Sequence, residues 1–194
     1  MSENGSRSRF LRSFLNSPRQ VGAVLPTSRR TVRDTLALAP VESAQCVVEI
    51  GAGTGVYTGE ILARTGPDAR VLAFEIDPQL ARGLEAEFPD PRLSVINDSA
   101  AEVARHLNGA KADVIVSAVP FTSLPRGVGR QILEASRAAL APGGAMLVLQ
   151  YSPLVARDLR RTFGSVERRI SPLNVPPAFV YACRVGSDAA AAAR

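Results

Sequence analysis

Residues 46–55 read Cys-Val-Val-Glu-Ile-Gly-Ala-Gly-Thr-Gly, a short apolar run that ends in a glycine-rich turn. This pattern predicts a buried strand followed by a helix. The glycines allow the backbone to approach a ligand where a Cβ atom would clash. A second apolar run, Val71-Leu72-Ala73-Phe74, precedes Glu75, so this carboxylate is predicted at the tip of the next strand. There it can accept hydrogen bonds from both hydroxyls of a ribose, which indicates a nucleoside-containing cofactor.

The spacing of the glycines distinguishes between cofactors. Dinucleotide-binding turns read G-x-G-x-x-G, and phosphate-binding loops need Gly-Lys-Ser/Thr. This turn has neither pattern. The turn reads Glu49-x-Gly51-x-Gly53-x-Gly55. This form resembles the first motif of class I S-adenosylmethionine (SAM) methyltransferases. The resemblance implies that SAM is the cofactor, that the turn holds its methionine end and that the acid on the second strand binds its ribose.

The segment after the third predicted strand reads Asn97-Asp98-Ser99. In SAM enzymes of this class an acid here bonds the adenine amine and the next backbone N–H bonds the ring, although Asp98 could instead be only an N-cap. The single histidine, His106, is expected at the surface. The residues predicted to bind the cofactor are Glu49, Gly51, Gly53, Thr54, Gly55, Glu75, Ile76, Asp98, Ser99 and Val119.

Strand and helix patterns alternate along the chain. Strands are predicted at 46–50, 70–75, 93–97, 112–117, 144–151, 165–170 and 178–185. Helices are predicted at 55–65, 78–87, 99–107, 126–140 and 153–163, with an earlier helix that begins at Thr27 or Ser28 and ends near Ala39. This alternation predicts an α/β fold with a parallel sheet covered on both faces. The resemblance implies the same architecture: a Rossmann-like seven-stranded class I methyltransferase sheet with an antiparallel C-terminal hairpin.

The segment after the fourth strand reads Ser117-Ala118-Val119-Pro120-Phe121. Amine and base methyltransferases carry a Pro-aromatic motif here, often Asn/Asp-Pro-Pro-Tyr/Phe, whose carbonyls and aromatic face hold the acceptor nitrogen. An aromatic face also favours a developing cation. Ser117 or Ala118 stands where Asn or Asp is expected, which argues against a nucleic-acid adenine methylase. We predict that Pro120, Phe121 and Tyr151 wall the acceptor site, and we expect no metal site.

Positive charge is concentrated at the N-terminus. Residues 1–33 hold seven arginines and one acid, whereas the whole chain has a net charge of +5. Within residues 7–17, apolar residues stand at helical spacing and arginines flank them. The apolar residues are Phe10, Leu11, Phe14 and Leu15, and the arginines are Arg7, Arg9 and Arg12. This predicts an N-terminal amphipathic helix that binds an anionic membrane surface. The alternative is a helix that only packs on the domain.

Further motifs indicate which group of SAM methyltransferases the chain resembles. They are Phe10-Leu11-x-x-Phe14, Pro18-x-x-Val21-Gly22-Ala23-Val24-Leu25-Pro26-Thr27-Ser28, Val119-Pro120-Phe121 and Pro176-Pro177-Ala178. Together with the glycine turn, they resemble bacterial phospholipid N-methyltransferases, which are themselves similar to ribosomal RNA adenine dimethylases. The resemblance covers residues 10–185 and implies methylation of phosphatidylethanolamine toward phosphatidylcholine by a membrane-associated protein.

These patterns together predict three parts of the chain. Residues 1–40 form a basic helix, a lid loop and a second helix, residues 41–186 form the methyltransferase domain, and residues 187–194 form a disordered tail. We expect a cytoplasmic monomer, peripherally attached to the membrane, with a phospholipid substrate and without nucleic acid as a partner. Two alternatives stay open: a methyltransferase of a soluble small molecule or an RNA adenine, and a SAM-sensing protein without turnover.

Overall fold

The structure, a computed structural model, describes residues 27–125, 127–172 and 177–185. Its strands are β1 (Cys46–Ile50), β2 (Arg70–Phe74), β3 (Leu93–Ile96), β4 (Ala112–Ser117), β5 (Leu140–Gln150), β6 (Gly164–Ser171) and β7 (Ala178–Val185). They form one seven-stranded sheet in the order β3-β2-β1-β4-β5-β7-β6. β1 to β5 run parallel to one another, whereas β7 is antiparallel to both β5 and β6. The predicted sheet and its C-terminal antiparallel hairpin are confirmed.

Helices cover both faces of this sheet. They are α1 (Arg29–Leu36), α2 (Val56–Arg64), α3 (Pro78–Glu87), α4 (Val103–Leu107), α5 (Val128–Ala139) and α6 (Ala156–Phe163). One apolar core lies between the sheet and α4, α5 and α6. A second core lies on the other face, under α1 and α2. Ser28 caps α1, because its Oγ accepts a hydrogen bond from the Thr31 N–H at 3.1 Å.

The central strands are buried on both faces, which explains why they read as continuous apolar runs rather than as alternating patterns. All five residues of β1 are buried, including the acidic residue Glu49. β1 pairs with both β2 and β4, so the chain reverses its direction of travel across the sheet at this strand. Such a reversal leaves a crevice at the carboxyl ends of the strands, where ligands bind in open α/β sheets.

Several elements differ from their predicted bounds. The helix predicted at 153–163 begins with a 3₁₀ turn (Pro153–Val155), and α1 ends at Leu36 rather than near Ala39. The helix predicted at 99–107 is a 3₁₀ turn (Ala100–Glu102) followed by the short α4, which ends at Asn108 in the left-handed conformation. β5 begins at Leu140 rather than 144, because Leu140 pairs with Ala112 before the register shifts. The residues Pro142-Gly143-Gly144 that look like a turn in the sequence lie within this irregular start of the strand.

Some predictions fall outside the described residues. These are the amphipathic helix at 7–17, the loop up to Pro26, the Pro176 position and the tail at 187–194. Among the helices that the structure describes, none has both the length and the apolar character that crossing a membrane requires.

Candidate active site

A cleft of about 240 Å³ opens at the carboxyl ends of the central strands, beside the reversal point at β1. Much of its wall was predicted from the sequence: Gly51, Gly53, Glu75, Ile76, Asp98, Ser99, Val119 and Pro120. These residues follow four different strands, and the sheet topology brings them to one edge.

The glycine turn shapes one wall of this cleft. Gly51 has a φ of +73°, and a Cβ atom there would lie 2.6 Å from Val119 Cγ2, so the segment after β4 could not close on the turn. Gly55 has a φ of +81°, and its Cβ would lie 2.4 Å from Cε2 of Phe88. Gly55 is therefore needed for packing against the end of α3 rather than for lining the cleft. Thr54 is exposed beside the turn.

Glu75 connects the tip of β2 to the glycine turn. Its Oε2 accepts a hydrogen bond from the Gly53 N–H, and its Oε1 accepts one from the Asp77 N–H, both at 2.8 Å. Burial raises the pKa of this carboxyl, and the hydrogen bonds from Asp77 and Gly53 oppose that effect. Each carboxylate oxygen keeps a second lone pair, so Glu75 can accept ribose hydroxyls while it holds the turn.

Asp98 also lines the cleft, after β3, and is paired with two basic side chains. Its Oδ2 lies 2.9 Å from His106 Nε2 and also accepts a hydrogen bond from Arg105. Its Oδ1 accepts the Ser99 N–H at 2.7 Å. Burial alone would raise the pKa of Asp98, but the hydrogen bonds from His106 and Ser99 and the charge of Arg105 hold it below its usual value. The carboxylate therefore stays ionised and can accept a further donor such as an amine.

His106, expected at the surface, is half-buried and has two side-chain contacts. Its imidazole packs edge-on against the Phe74 ring, with 5.4 Å between the ring centroids, while it contacts Asp98. Phe74 and Asp98 both line the cleft. His106 thus supports the cleft from behind, and no signal in its polar sequence context indicated this position.

Glu49 lies behind the cleft rather than in its wall. Its side chain points to the α1–α2 face, is 3% exposed and accepts a hydrogen bond from Thr58 Oγ1 at 2.6 Å. Loss of solvent raises the pKa of this carboxyl to about 8, against the effect of the Thr58 hydrogen bond. Burial therefore favours the protonated form of Glu49, which lies beneath the glycine turn and not in the wall of the cleft.

The segment after β4, Ala118–Phe121, is here called the acceptor loop. Pro120 has φ −75° and ψ 79°, and the Phe121 N–H donates to the Val119 carbonyl at 2.9 Å. These values describe an inverse γ-turn centred on Pro120. Because of this turn, Val119 and Pro120 face the cleft, whereas the Phe121 side chain points away from it.

Phe121 lies in a separate groove next to the cleft, with a volume of about 340 Å³. The walls of this side groove include Phe121, Leu124, Arg130, Leu133, Leu154 and Asp158. Leu124 lines both the cleft and the side groove, so the two spaces adjoin. Phe121 itself is only 8% exposed and belongs to the core under α4, α5 and α6. Its ring is thus a wall of the side groove and not of the cleft.

Tyr151 is placed on the other face of the sheet. It packs beside Leu149, Val180 and Leu38 of the region after α1. The preceding residue, Gln150, points to the opposite face because side chains alternate along a strand. Tyr151 is half-buried and close to Tyr57, which is itself near Glu49. The structure does not bring Tyr151 to the wall that Pro120 forms.

Sequence reasoning missed several supporting residues. Asn97 donates to the carbonyls of Glu75 and Ile76 at 2.8 and 3.0 Å and so joins the ends of β2 and β3. Gln150 donates to the Val119 carbonyl at 2.6 Å. Leu80 and Ile132 add apolar surface to the cleft. A polar residue at or next to the end of a predicted strand was the available signal for Asn97 and Gln150.

The sheet order, the glycine turn and the acid at the tip of β2 together define a class I SAM methyltransferase. Comparison with known proteins agrees: residues 47–144 match the family described as "Methyltransferase domain". The chain is also 34% identical to an ornithine lipid N-methyltransferase of Singulisphaera acidiphila over 180 residues, which cover 90% of this chain and 94% of that protein. The chain therefore belongs to the class I SAM-dependent methyltransferases related to lipid N-methyltransferases.

Other relatives are more distant. The chain is 29% identical to the ribosomal RNA small subunit methyltransferase A of Synechococcus sp. over 157 residues, 80% of this chain and 52% of that one. Among solved structures, precorrin-6y C5,15-methyltransferase from Geobacter metallireducens is similar with a TM-score of 0.68, at 17% identity and with 81% and 88% of the two chains covered. The N-methyltransferase NodS from Bradyrhizobium japonicum has a TM-score of 0.63 at 14% identity, over 81% of this chain and 96% of that one. These structural matches show the shared fold.

The cleft fits SAM, the cofactor of this family. The backbone of the turn approaches the cleft closely at Gly51, where a Cβ atom would clash with Val119. The Glu75 carboxylate retains acceptor capacity for hydroxyls, and Asp98 for an amine. Between these two carboxylates, apolar side chains such as Phe74 and Ile132 can enclose a planar base.

Proposed function

We propose that this protein transfers a methyl group from SAM to the primary amine of a membrane lipid, with the headgroup of phosphatidylethanolamine as the first candidate. One observation carries the proposal. The relative that matches almost end to end, at 34% identity over 94% of its length, is an ornithine lipid N-methyltransferase. Phosphatidylethanolamine and ornithine lipids both present an aliphatic amine at a membrane surface, so either one would suit a site of this kind.

The acceptor loop supports an aliphatic amine over an RNA base. Where base methylases place an Asn or Asp that bonds the base amine, this chain has Ser117 or Ala118. The rRNA methyltransferase relative keeps an adenine acceptor as the alternative, but only about half of that protein is matched. An aliphatic ammonium loses its charge when it is desolvated, and Val119, Pro120 and Leu124 offer an apolar surface for this step.

The side groove offers room for the rest of a lipid. It adjoins the cleft at Leu124, and its wall is apolar at Phe121, Leu133 and Leu154. Arg130 stands at its edge, is largely exposed and lies 3.8 Å from Glu134. A guanidinium in this position can bind a lipid phosphate while the amine reaches Pro120. Phe121 would then contact the glycerol or acyl part of the acceptor.

The chemistry needs little from the protein beyond placement. Bound SAM supplies a methyl group that is already activated on a sulfonium. The protein aligns the amine with this methyl group, excludes water and favours the neutral amine. In this proposal Gly51, Gly53, Glu75, Ile76, Asp98 and Ser99 contact the cofactor, while Glu49, Thr54 and Gly55 support the turn. Val119 and Pro120 face the reacting atoms, and Tyr151 acts only indirectly.

We further propose that the enzyme works while peripherally attached to a membrane. Leu154 is 75% exposed and Ile170 is 57% exposed, which is unusual for large apolar side chains. Leu154 follows β5 and Ile170 is next to the end of β6, so both lie at the carboxyl edge of the sheet, as the cleft does. The basic N-terminal sequence enters the described structure at Thr27, just before the first turn of α1.

The test is methyl transfer with purified protein and radiolabelled SAM. Three kinds of vesicle are compared: phosphatidylcholine with phosphatidylglycerol alone, the same with phosphatidylethanolamine, and the same with ornithine lipid. Label in a lipid amine confirms the proposal and identifies the headgroup. Label in small-subunit rRNA, with none in any lipid, would instead favour the adenine alternative.

A further inference from the structure

The side chain of Gln150 connects the end of β5 to the acceptor loop. We infer that Gln150 is a positioning residue for methyl transfer: its amide holds the inverse γ-turn of the acceptor loop in place and thereby sets where the acceptor nitrogen meets the methyl group. This inference rests on the proposed transfer to an amine, but the geometry of the loop can be tested apart from the identity of the acceptor.

The hydrogen bonds of Gln150 are short and shielded from water. Its Nε2 donates to the carbonyl of Val119 and to the carbonyl of Leu149, both at 2.6 Å. The residue is 3% exposed. Because both neighbouring atoms are carbonyl oxygens, the amide nitrogen and not the amide oxygen must face them. Loss of this donor would leave the Val119 carbonyl with the Phe121 N–H alone.

Gln150 acts where the backbone pairing between two strands stops. The register of β4 and β5 ends with Ser117 opposite Val148, so Val119 would stand opposite Gln150 two residues further on. At that point β4 has bent into the acceptor loop, and a side-chain amide replaces the missing backbone hydrogen bond. The Val119 N–H itself makes a longer contact, 3.3 Å to Ser117 Oγ.

The Val119 carbonyl is fully committed to holding the turn. It accepts from Gln150 Nε2 at 2.6 Å and from the Phe121 N–H at 2.9 Å, which uses both lone pairs of the oxygen. This carbonyl is therefore not available to hold the acceptor amine. Without Gln150, Val119 and Pro120 would be free to shift along the cleft, and misplacement of about 1 Å can lower a rate roughly 100-fold.

The first experiment compares Gln150→Met with Ser136→Ala. Methionine keeps the volume of the side chain but has no donor. Ser136 is a matched control, because its buried hydroxyl donates to the Ile132 carbonyl at 2.7 Å on α5, away from the acceptor loop. We expect Gln150→Met to lower kcat about 10- to 100-fold while SAM affinity changes less than about threefold. A kcat within twofold of that of Ser136→Ala would overturn the inference.

A pH profile separates positioning from a general loss of packing. In Gln150→Glu the buried carboxyl can donate to Val119 only when it is protonated, and burial brings its titration toward neutral pH. The activity of this variant, divided by that of the wild type, should rise as the pH falls. A ratio that does not change between pH 6 and 9 would contradict the proposed role.

Hydrogen exchange gives a readout that needs no acceptor. The amides of Phe121 and Ser123 donate within the loop, to the carbonyls of Val119 and Pro120 at 2.9 Å. In Gln150→Met their exchange should accelerate about tenfold or more, whereas Ser136→Ala should leave it unchanged. Unchanged exchange in Gln150→Met would overturn the inference even with a normal acceptor, and accelerated exchange would support it even if no lipid proves to be methylated.

Discussion

The carboxylate of Glu75 and the backbone N–H of Gly53 are joined by a hydrogen bond of 2.8 Å. This bond ties the tip of β2 to the middle of the glycine turn on β1, the neighbouring strand. The acid that is proposed to bind the ribose therefore also fixes the shape of the turn. Cofactor affinity and local stability should depend on the same side chain.

Replacement of Glu75 with alanine should weaken SAM binding and also destabilise the fold. A lost hydrogen bond to a charged acceptor costs about 1.5–3 kcal/mol, which corresponds to roughly 10- to 100-fold in affinity. Calorimetric titration with SAM measures the first effect and thermal unfolding the second. Glu75→Gln is the control, since its amide oxygen can still accept one N–H. An unchanged SAM affinity in Glu75→Ala would exclude the proposed ribose contact.

Gly55→Ala should destabilise the protein more than Gly53→Ala does. Both residues have positive φ, which costs an alanine about 1–2 kcal/mol. At Gly55 the new Cβ would also lie 2.4 Å from the Phe88 ring, whereas nothing lies within 4 Å of a Cβ at Gly53. Overpacking adds about 1–3 kcal/mol to the cost at Gly55. Urea denaturation measures the difference, and equal free energies of unfolding would show that the contact with Phe88 is easily relieved.

The stability of the wild type should fall as the pH rises, because of Glu49. Its pKa is about 8 in the folded protein, above the usual value of about 4.3 in an unfolded chain. The folded state therefore holds an extra proton between these two values. The contribution is fully present below about pH 4 and is lost as the pH rises through 8, by up to about 1.4 kcal/mol per pH unit.

Glu49→Gln removes this titration. Between pH 5 and pH 8 the free energy of unfolding should therefore fall in the wild type and fall less in the variant. Denaturation curves at the two pH values test this. Glu42→Gln serves as the control, since Glu42 is a mostly exposed partner of Arg64. A wild type and a Glu49→Gln variant with parallel pH dependence would show that Glu49 is ionised in the folded state.

Deletion of residues 1–17 should abolish binding to anionic vesicles. Three arginines near an anionic surface contribute about 3 kcal/mol, or roughly 150-fold in partitioning. Sedimentation with phosphatidylglycerol vesicles should show binding that weakens steeply with salt and is poor on neutral vesicles. Leu154→Ser tests whether the carboxyl edge of the sheet also contributes to vesicle binding. If the full-length protein does not bind anionic vesicles at low salt, the proposed membrane attachment is wrong and a soluble acceptor becomes the better proposal.

The path of the central chain could be read from the sequence because it is set by local patterns. The apolar runs before Gly51 and Glu75 specify strands buried on both faces, and the glycine and polar residues after them specify where each strand ends. Parallel strands bring their carboxyl ends to one edge, so Gly51, Glu75, Asp98 and Pro120 could be assigned to one cleft before any coordinates were known. Local sequence patterns, together with the resemblance to SAM methyltransferases, determined this much.

The side-chain partners across the sheet depended on tertiary structure. The γ-turn at Pro120 sends Phe121 into the side groove, and strand alternation sends Tyr151 to the α1 face, so neither ring joins Pro120 at the cleft. Pairings such as His106 with Asp98 and Gln150 with Val119 depend on strand register and loop geometry. The residues of the second pair lie 31 positions apart in sequence, and a one-residue change in strand register would reverse which side chains meet. The sequence therefore determined which edge of the sheet carries the site, while the tertiary structure decided which side chains form it.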